Sequence, residues 1–204
     1  MKIYNRSWER LDTDNAIIVE NTAYFIQPDQ NPPNPRKQFD PVMHLIADLG
    51  RYGNYSDSET PLKDWYEALG CPDDVDESSL QELCTYAESK GWYVAKVYAY
   101  VHGAVRFSLR PFGCPFDSGC CGVIYASPQE CRKNQDVVAE TEIRELDQWV
   151  NDDVWELCTA EVVNYYEKSR ELYVQNVEYI YGGIYGHEAA LEALKEEVEN
   201  AKNI

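Results

Sequence analysis

Arg110-Pro111-Phe112-Gly113-Cys114-Pro115-Phe116-Asp117-Ser118-Gly119-Cys120-Cys121-Gly122 leads directly into Val123-Ile124-Tyr125. Three glycines, two prolines, three cysteines and one acid stand here between two runs of strand character. Such a stretch predicts an irregular loop, defined by its backbone and held by a sheet. On its N-terminal side, Trp92 to Val101 and Ala104 to Pro111 flank His102-Gly103, where glycine can take a positive φ. Val105, Phe107 and Leu109 alternate with Arg106, Ser108 and Arg110, the pattern of a half-buried strand in a hairpin. On its C-terminal side, Gly122 to Ala126 continues as a strand. Ser127-Pro128-Gln129-Glu130 then forms a capping box, which predicts that a helix starts there.

Working outward towards the N-terminus, Pro61 to Leu69 collects Leu62, Trp65, Tyr66 and Leu69 on one helical face and closes at Gly70. A second helix is capped by Ser78 or Ser79 and runs through Lys90, with Leu80, Leu83, Cys84 and Ala87 at helical spacing and Gly91 as its stop. Met43 to Leu49 fits either a strand or a helical turn. Residues 28–40, with Asn31-Pro32-Pro33-Asn34-Pro35-Arg36, cannot donate regular ladder bonds and are expected as a proline-rich surface loop. Ala16 to Glu20 and Ala23 to Gln27 read as strands around Asn21-Thr22.

Towards the C-terminus, a helix is expected over Val138 to Val150, then a hairpin of Val154 to Tyr166 and Glu171 to Tyr181. Gly182-Gly183-Ile184-Tyr185-Gly186 reads as a turn into a last helix, Glu188 to Ala201, with Leu191, Leu194 and Val198 in one stripe. This order predicts the α+β class: an antiparallel sheet built from hairpins with helices packed on it, in a single domain over residues 1–204.

The 204 residues are 44% hydrophobic and 13% aromatic, enough to build a folded core. The net charge of -18, from 36 acids against 18 bases, repels phosphate backbones and anionic lipid. Direct nucleic-acid and membrane binding are therefore not expected, and a basic protein surface is the expected partner. There is no apolar run near the roughly 18 residues of a membrane helix and no signal-type apolar core. Seven cysteines, an odd and dispersed set, suit reduced thiols and a cytoplasm. The charge is uneven: residues 138–204, the helix, hairpin and helix of the C-terminal portion, hold 16 acids and 5 bases.

Cys114, Cys120, Cys121 and Cys131, with His102 nearby, supply enough ligands for zinc, but adjacent cysteines suit one tetrahedral ion poorly. Buried free thiols are the alternative reading, and no metal or other cofactor is expected. Asp117-Ser118-Gly119 has no recognisable base among the three histidines, at 44, 102 and 187. Asp117, Ser118, Gly119 and Gly122 therefore read as a structural or partner-touching loop. No phosphate loop, HExxH, EF-hand or dinucleotide fingerprint is present, so no enzyme is expected. In the last helix Glu188, Glu192, Glu196 and Glu199, with Glu197 beside them, recur every three or four residues and fall mostly on one side. With Asp147, Asp152, Asp153, Glu156 and Glu161 they form the expected partner-binding set, to which sixteen tyrosines add contact surface.

The 111–119 stretch with Gly122-Val123-Ile124-Tyr125 resembles a signature of small acidic proteins of bacteriophages, plasmids and other mobile elements. Asn34-Pro35-Arg36, Arg51-Tyr52, Leu146-Asp147-Gln148-Trp149-Val150 to Val154-Trp155, and Gly182 to Gly186 extend the resemblance. Cys120 and Cys121 depart from it, since a polar and then an aliphatic residue are more usual there. The resemblance implies a phage or mobile-element product of anti-defence type, acting in the host cytoplasm. Joined to the charge, it leads to the expectation of an anti-restriction or anti-CRISPR inhibitor. Such a protein would occupy the nucleic-acid-binding surface of a restriction enzyme or CRISPR effector as an acidic DNA mimic. Self-association into a homodimer stays open. The alternatives are a small enzyme or ligand-binding protein with its site at the 111–122 loop, and a zinc-stapled structural protein.

Overall fold

The computed structural model describes residues 1–11 and 13–203. In chain order the strands are β1 Lys2–Tyr4, β2 Asp14–Val19, β3 Thr22–Pro28, β4 His44–Ala47, β5 Tyr93–Val101, β6 Val105–Ser108, β7 Ser118–Ala126, β8 Val154–Tyr166 and β9 Glu171–Tyr185. The helices are α1 Pro61–Leu69, α2 Leu80–Ser89, α3 Gln135–Val150 and α4 His187–Lys202. The class is α+β, with antiparallel pairing dominant. The chain forms two compact units, one of residues 1–33 and 152–204 and one of residues 34–151. No helix of the described residues is long and apolar enough to cross a membrane.

In the 34–151 unit the sheet runs β4-β7-β5-β6, antiparallel throughout. One face packs through Leu45, Ala47, Val97, Phe107 and Ile124 on Ala139, Ile143 and Leu146 of α3. The other packs through Ile46, Val123 and Tyr125 on Trp65, Leu83 and Ala87 of α1 and α2. Helix α1 begins with Pro61 and stops where Gly70 turns left-handed at φ 61°, the arrangement those residues favour. Ser79 caps α2 by accepting the amide of Glu82 at 3.3 Å.

Both edges of this sheet are covered. Asp147 accepts the Phe107 amide at 2.7 Å, and the Asn151 side chain donates to the Val105 carbonyl at 2.9 Å, closing the β6 edge. On β4, Leu45 donates to Asp57 at 2.7 Å and Ala47 to Ser56 at 3.1 Å. Covered edges leave no template for stray strand pairing.

Arg36, 6% exposed, lies inside the proline-rich stretch that the sequence places at the surface. Its guanidinium donates twice to Asp57, at 2.9 and 2.7 Å, once to Glu142 and once to the Met43 carbonyl at 2.6 Å. Glu142 accepts the amides of Val42 and Met43 with its other oxygen, at 2.8 and 3.2 Å. Burial works against the charge of Arg36, and the bonds and charges of Asp57 and Glu142 outweigh it, so its pKa is raised.

In the 1–33 and 152–204 unit the order is β1-β9-β8-β3-β2, with β1 parallel to β9 and the other pairs antiparallel. After β1 the chain doubles back on it, through the Tyr4–Arg10 bridge and the Leu11 amide on the Ile3 carbonyl at 2.9 Å. It then enters β2 at the opposite edge of the sheet. The sheet thereby curls around Ile3, Ala23, Phe25, Cys158, Ala160, Leu172 and Val174. Its other face carries Ile26 and Leu157 beneath Ala190, Leu194 and Val198 of α4.

Four local expectations change. The capping box forms, with reciprocal bonds between Ser127 and Glu130 at 2.8 and 3.3 Å. It yields only a turn, because Asn134 goes left-handed at φ 55° and the helix starts at Gln135. Ser118 to Cys121, expected as irregular loop, already belongs to β7. Gly182 to Tyr185 extends β9 instead of turning, with Gly183 at φ 68° and its amide on Asp29 at 3.0 Å. Strand β1 has no counterpart in the sequence reading.

Candidate partner-binding face

Helix α4 is positioned by Asp153. The Gly186 amide donates to its carbonyl at 2.8 Å, and the His187 amide donates to its Oδ1 at 3.0 Å. The same oxygen accepts the Trp155 indole at 2.7 Å. A carboxylate there satisfies the His187 amide, which the first turn leaves unpaired, and meets the positive end of the helix dipole. Asp153 is therefore spent inside the unit, a correction to its expected role as a contact acid. Asp153→Ala should cost about 1–2 kcal/mol, read as a lower urea midpoint with unchanged m-value.

With its apolar stripe fixed on the sheet, α4 exposes Glu188, Glu192, Glu196 and Glu199. Four residues advance about 6 Å along a helix, so Glu188, Glu192 and Glu196 form one ladder of carboxylates. None of the four is in an ion pair with a described residue. Beside the ladder stands Tyr181 on β9, whose phenol is pushed above its ordinary pKa by partial burial and then by Glu197 and Glu196. Tyr179, 63% exposed, follows on the same strand. The sequence counts these two among sixteen tyrosines of contact surface without placing them, because only the fold brings β9 against α4.

The remaining acids divide. Glu161 is exposed and accepts from Gln175 and Asn176 at 2.8 and 2.9 Å with one oxygen, leaving the other open. Asp152 is exposed at a left-handed φ of 56°. Glu156 is half-buried under the Gln27 side chain, which withdraws it from a contact face. Asp147 is 8% exposed, belongs to the other unit, and is gripped by Arg106 through Nε at 3.0 Å and Nη2 at 2.8 Å. It is a structural ion pair, not a contact acid.

At the 111–122 loop, Asp117 accepts from the Cys114 thiol at 3.6 Å and lies 3.4 Å from His102 Nδ1, both through the same oxygen. The carboxylate, not the imidazole, thus faces the thiol. The Asp117 carbonyl receives the Val101 amide at 2.8 Å, and the Ser118 hydroxyl donates to the Cys114 carbonyl. These bonds pin the loop to the hairpin. Gly119 has open space around it, while Gly122 lies against the backbone of β4.

The four cysteines weighed for zinc do not converge. Cys121 donates to the Val97 carbonyl, Cys120 to that of Gly122 and buried Cys131 to that of Lys133. Among the described residues no group of three or more His, Cys, Asp or Glu is placed to hold a metal ion. Burial and then the neighbouring Cys120 push the Cys121 thiol up to about 12, and burial and then Glu156 push Cys158 to about 12. Both stay protonated and unreactive at neutral pH. No protein-family model, curated protein or solved structure matches this chain.

Proposed function

We propose that this chain is a non-enzymatic inhibitor made by a phage or mobile element. It lays the α4 carboxylate ladder on the basic nucleic-acid-binding surface of a host restriction enzyme or CRISPR effector, in the host cytoplasm. The observation that carries the reading is the ladder itself. Like charges four residues apart each cost a helix about 0.2–0.5 kcal/mol, and nothing in the unit's packing requires Glu188, Glu192 and Glu196. A face that gives up stability to hold unopposed charge beside exposed Tyr179 and Tyr181 suits a basic partner. The phage-type signature supports the biological setting.

The test is capture of partners from bacterial lysate by the tagged protein, with double-stranded DNA as competitor. A nucleic-acid-binding nuclease or effector should be retained at 50 mM salt, released by DNA, and bound at least about tenfold more weakly at 200 mM. Glu188→Lys, Glu192→Lys and Glu196→Lys together should abolish retention while the melting temperature holds or rises. Retention that survives the triple reversal, or that DNA does not compete, would refute the mimic.

A further inference from the structure

The acidity of the 1–33 and 152–204 unit is not uniform. The unit holds 17 acids and 7 bases, yet residues 1–11 and 166–173 together hold 5 of those bases and only 3 acids. The fold brings these two stretches together. Lys2 stands opposite Glu171 and donates its amide to the Arg170 carbonyl at 3.0 Å; Tyr4 pairs with Tyr173 on one side and Arg10 on the other. Lys2, Arg6, Arg10, Lys168 and Arg170 are all exposed, and none is in an ion pair with a described residue.

Four aromatic rings gather at the same end. Tyr173 stacks on Tyr4 with centroids 5.2 Å apart and meets Trp8 edge-on at 4.8 Å and Tyr166 edge-on at 5.6 Å. Trp8 is 71% exposed and sits at φ 65°, a conformation unfavourable for a bulky residue. The turn beneath it is built for this. The Asn5 side chain accepts the amides of Ser7 and Glu9, both at 3.0 Å, and the Asn5 carbonyl accepts that of Trp8 at 3.0 Å. The strained turn holds the indole edge-on to Tyr173 while most of its surface stays open to solvent. Between Trp8, Tyr166 and Tyr173, with Arg6, Asn5 and Asn164 at the rim, lies an open cleft of about 300 Å³, the lower end of the range for small-ligand sites.

We propose that this cleft binds a phosphorylated nucleoside, either free or as one unit of a single strand. Its base would stack on Trp8 and Tyr166, and its phosphate would face Arg6, which lines the cleft. Flat rings beside the guanidinium of Arg6, which is in no ion pair with a described residue, match that ligand in both parts. The net charge does not oppose it. From Leu157, under α4, to Tyr166 the strand advances about 30 Å, several times the roughly 8 Å over which physiological salt screens charge. The site shares no residue with the α4 ladder and goes beyond the mimic reading.

The test uses the full chain at about 150 mM salt with two probes, AMP and a fluorescein-labelled eight-nucleotide oligothymidylate, followed by tryptophan quenching and by anisotropy. Saturable binding of at least one probe is expected. Trp8→Ala and, separately, Arg6→Glu should each weaken it about tenfold or more, while Trp8→Phe keeps it within about threefold. Arg132→Glu, an equal charge change in the other unit, should leave it unchanged. Binding of AMP marks a free-nucleotide site; binding of the oligonucleotide alone marks a strand site. Absence of binding by both probes at 1 mM, or binding indifferent to both Trp8→Ala and Arg6→Glu in variants that melt like the parent, overturns the proposal.

Discussion

Gly122→Ala should destabilise the 34–151 unit by about 3 kcal/mol or more, a drop of roughly 10 °C in melting temperature. A Cβ at this position would lie 1.8 Å from the Ile46 carbonyl oxygen and 2.7 Å from its carbon. The obstacle is backbone in the centre of a sheet, so no rotamer change relieves it. Gly122 is paired on both sides, with Ala47 of β4 and Val97 of β5, and follows the bulge at which Cys121 has no partner in the β5 register. Opening the β4 side to admit a methyl would disturb Leu45 and Ile46, which serve the two cores on opposite faces. Gly119→Ala, three residues earlier on the same strand with nothing within 4 Å of its would-be Cβ, is the control and should shift melting by little. Thermal circular dichroism of the two variants decides the matter. A Gly122→Ala protein that melts with the parent would show that β4 and β7 are not this close.

Arg36→Met should cost about 3–5 kcal/mol, because it removes the cation from a buried group of three charges and leaves two carboxylates facing each other's field. The position connects segments far apart in sequence: Arg36 itself, Asp57 beyond β4, and Glu142 on α3. Asp57 and Glu142 also hold the amides of Leu45, Val42 and Met43, so repulsion between them strains the entry to β4 directly. Arg36→Lys should recover only part of the loss, since an ammonium cannot span Asp57, Glu142 and the Met43 carbonyl as the guanidinium fork does. Adding Glu142→Gln to Arg36→Met should restore stability beyond the sum of the two single changes. Guanidinium denaturation midpoints for the four proteins test this, and strict additivity would break the network reading.

What the sequence reveals and what it conceals follow from the distance over which each feature is decided. Helix α1 is settled within ten residues by Pro61 at one end and Gly70 at the other, and β8 was legible to its bounds from its apolar and aromatic run. The capping box at Ser127 is also local and does form, and the Cys131 amide even closes one helical turn on the Ser127 carbonyl at 3.2 Å; the helix fails afterwards because Asn134 turns left-handed. Strand β1 shows no pattern in three residues, because its partner is β9. The same contrast divides the candidate site. The α4 ladder is a helical spacing and can be read directly, whereas Asp147 reads as one more surface acid until Arg106, 41 positions away, is seen to hold it. The Trp8 cleft was invisible because its rings come from opposite ends of the sequence.

The parallel pairing of Lys2 with Glu171 also sets a timetable for synthesis. Residues 34–151 are contiguous, so on the ribosome they can pack as soon as they emerge. Strand β1 leaves the tunnel before any of residues 34–151 and must wait until they and β8 have been read before its partner exists. At about 5–20 residues per second that wait is on the order of ten seconds or more, during which Ile3 and the β2-β3 hairpin lack their core. The residues of β1 are thus made before the 34–151 unit and settle after it, and a nascent-chain chaperone would have its opportunity there.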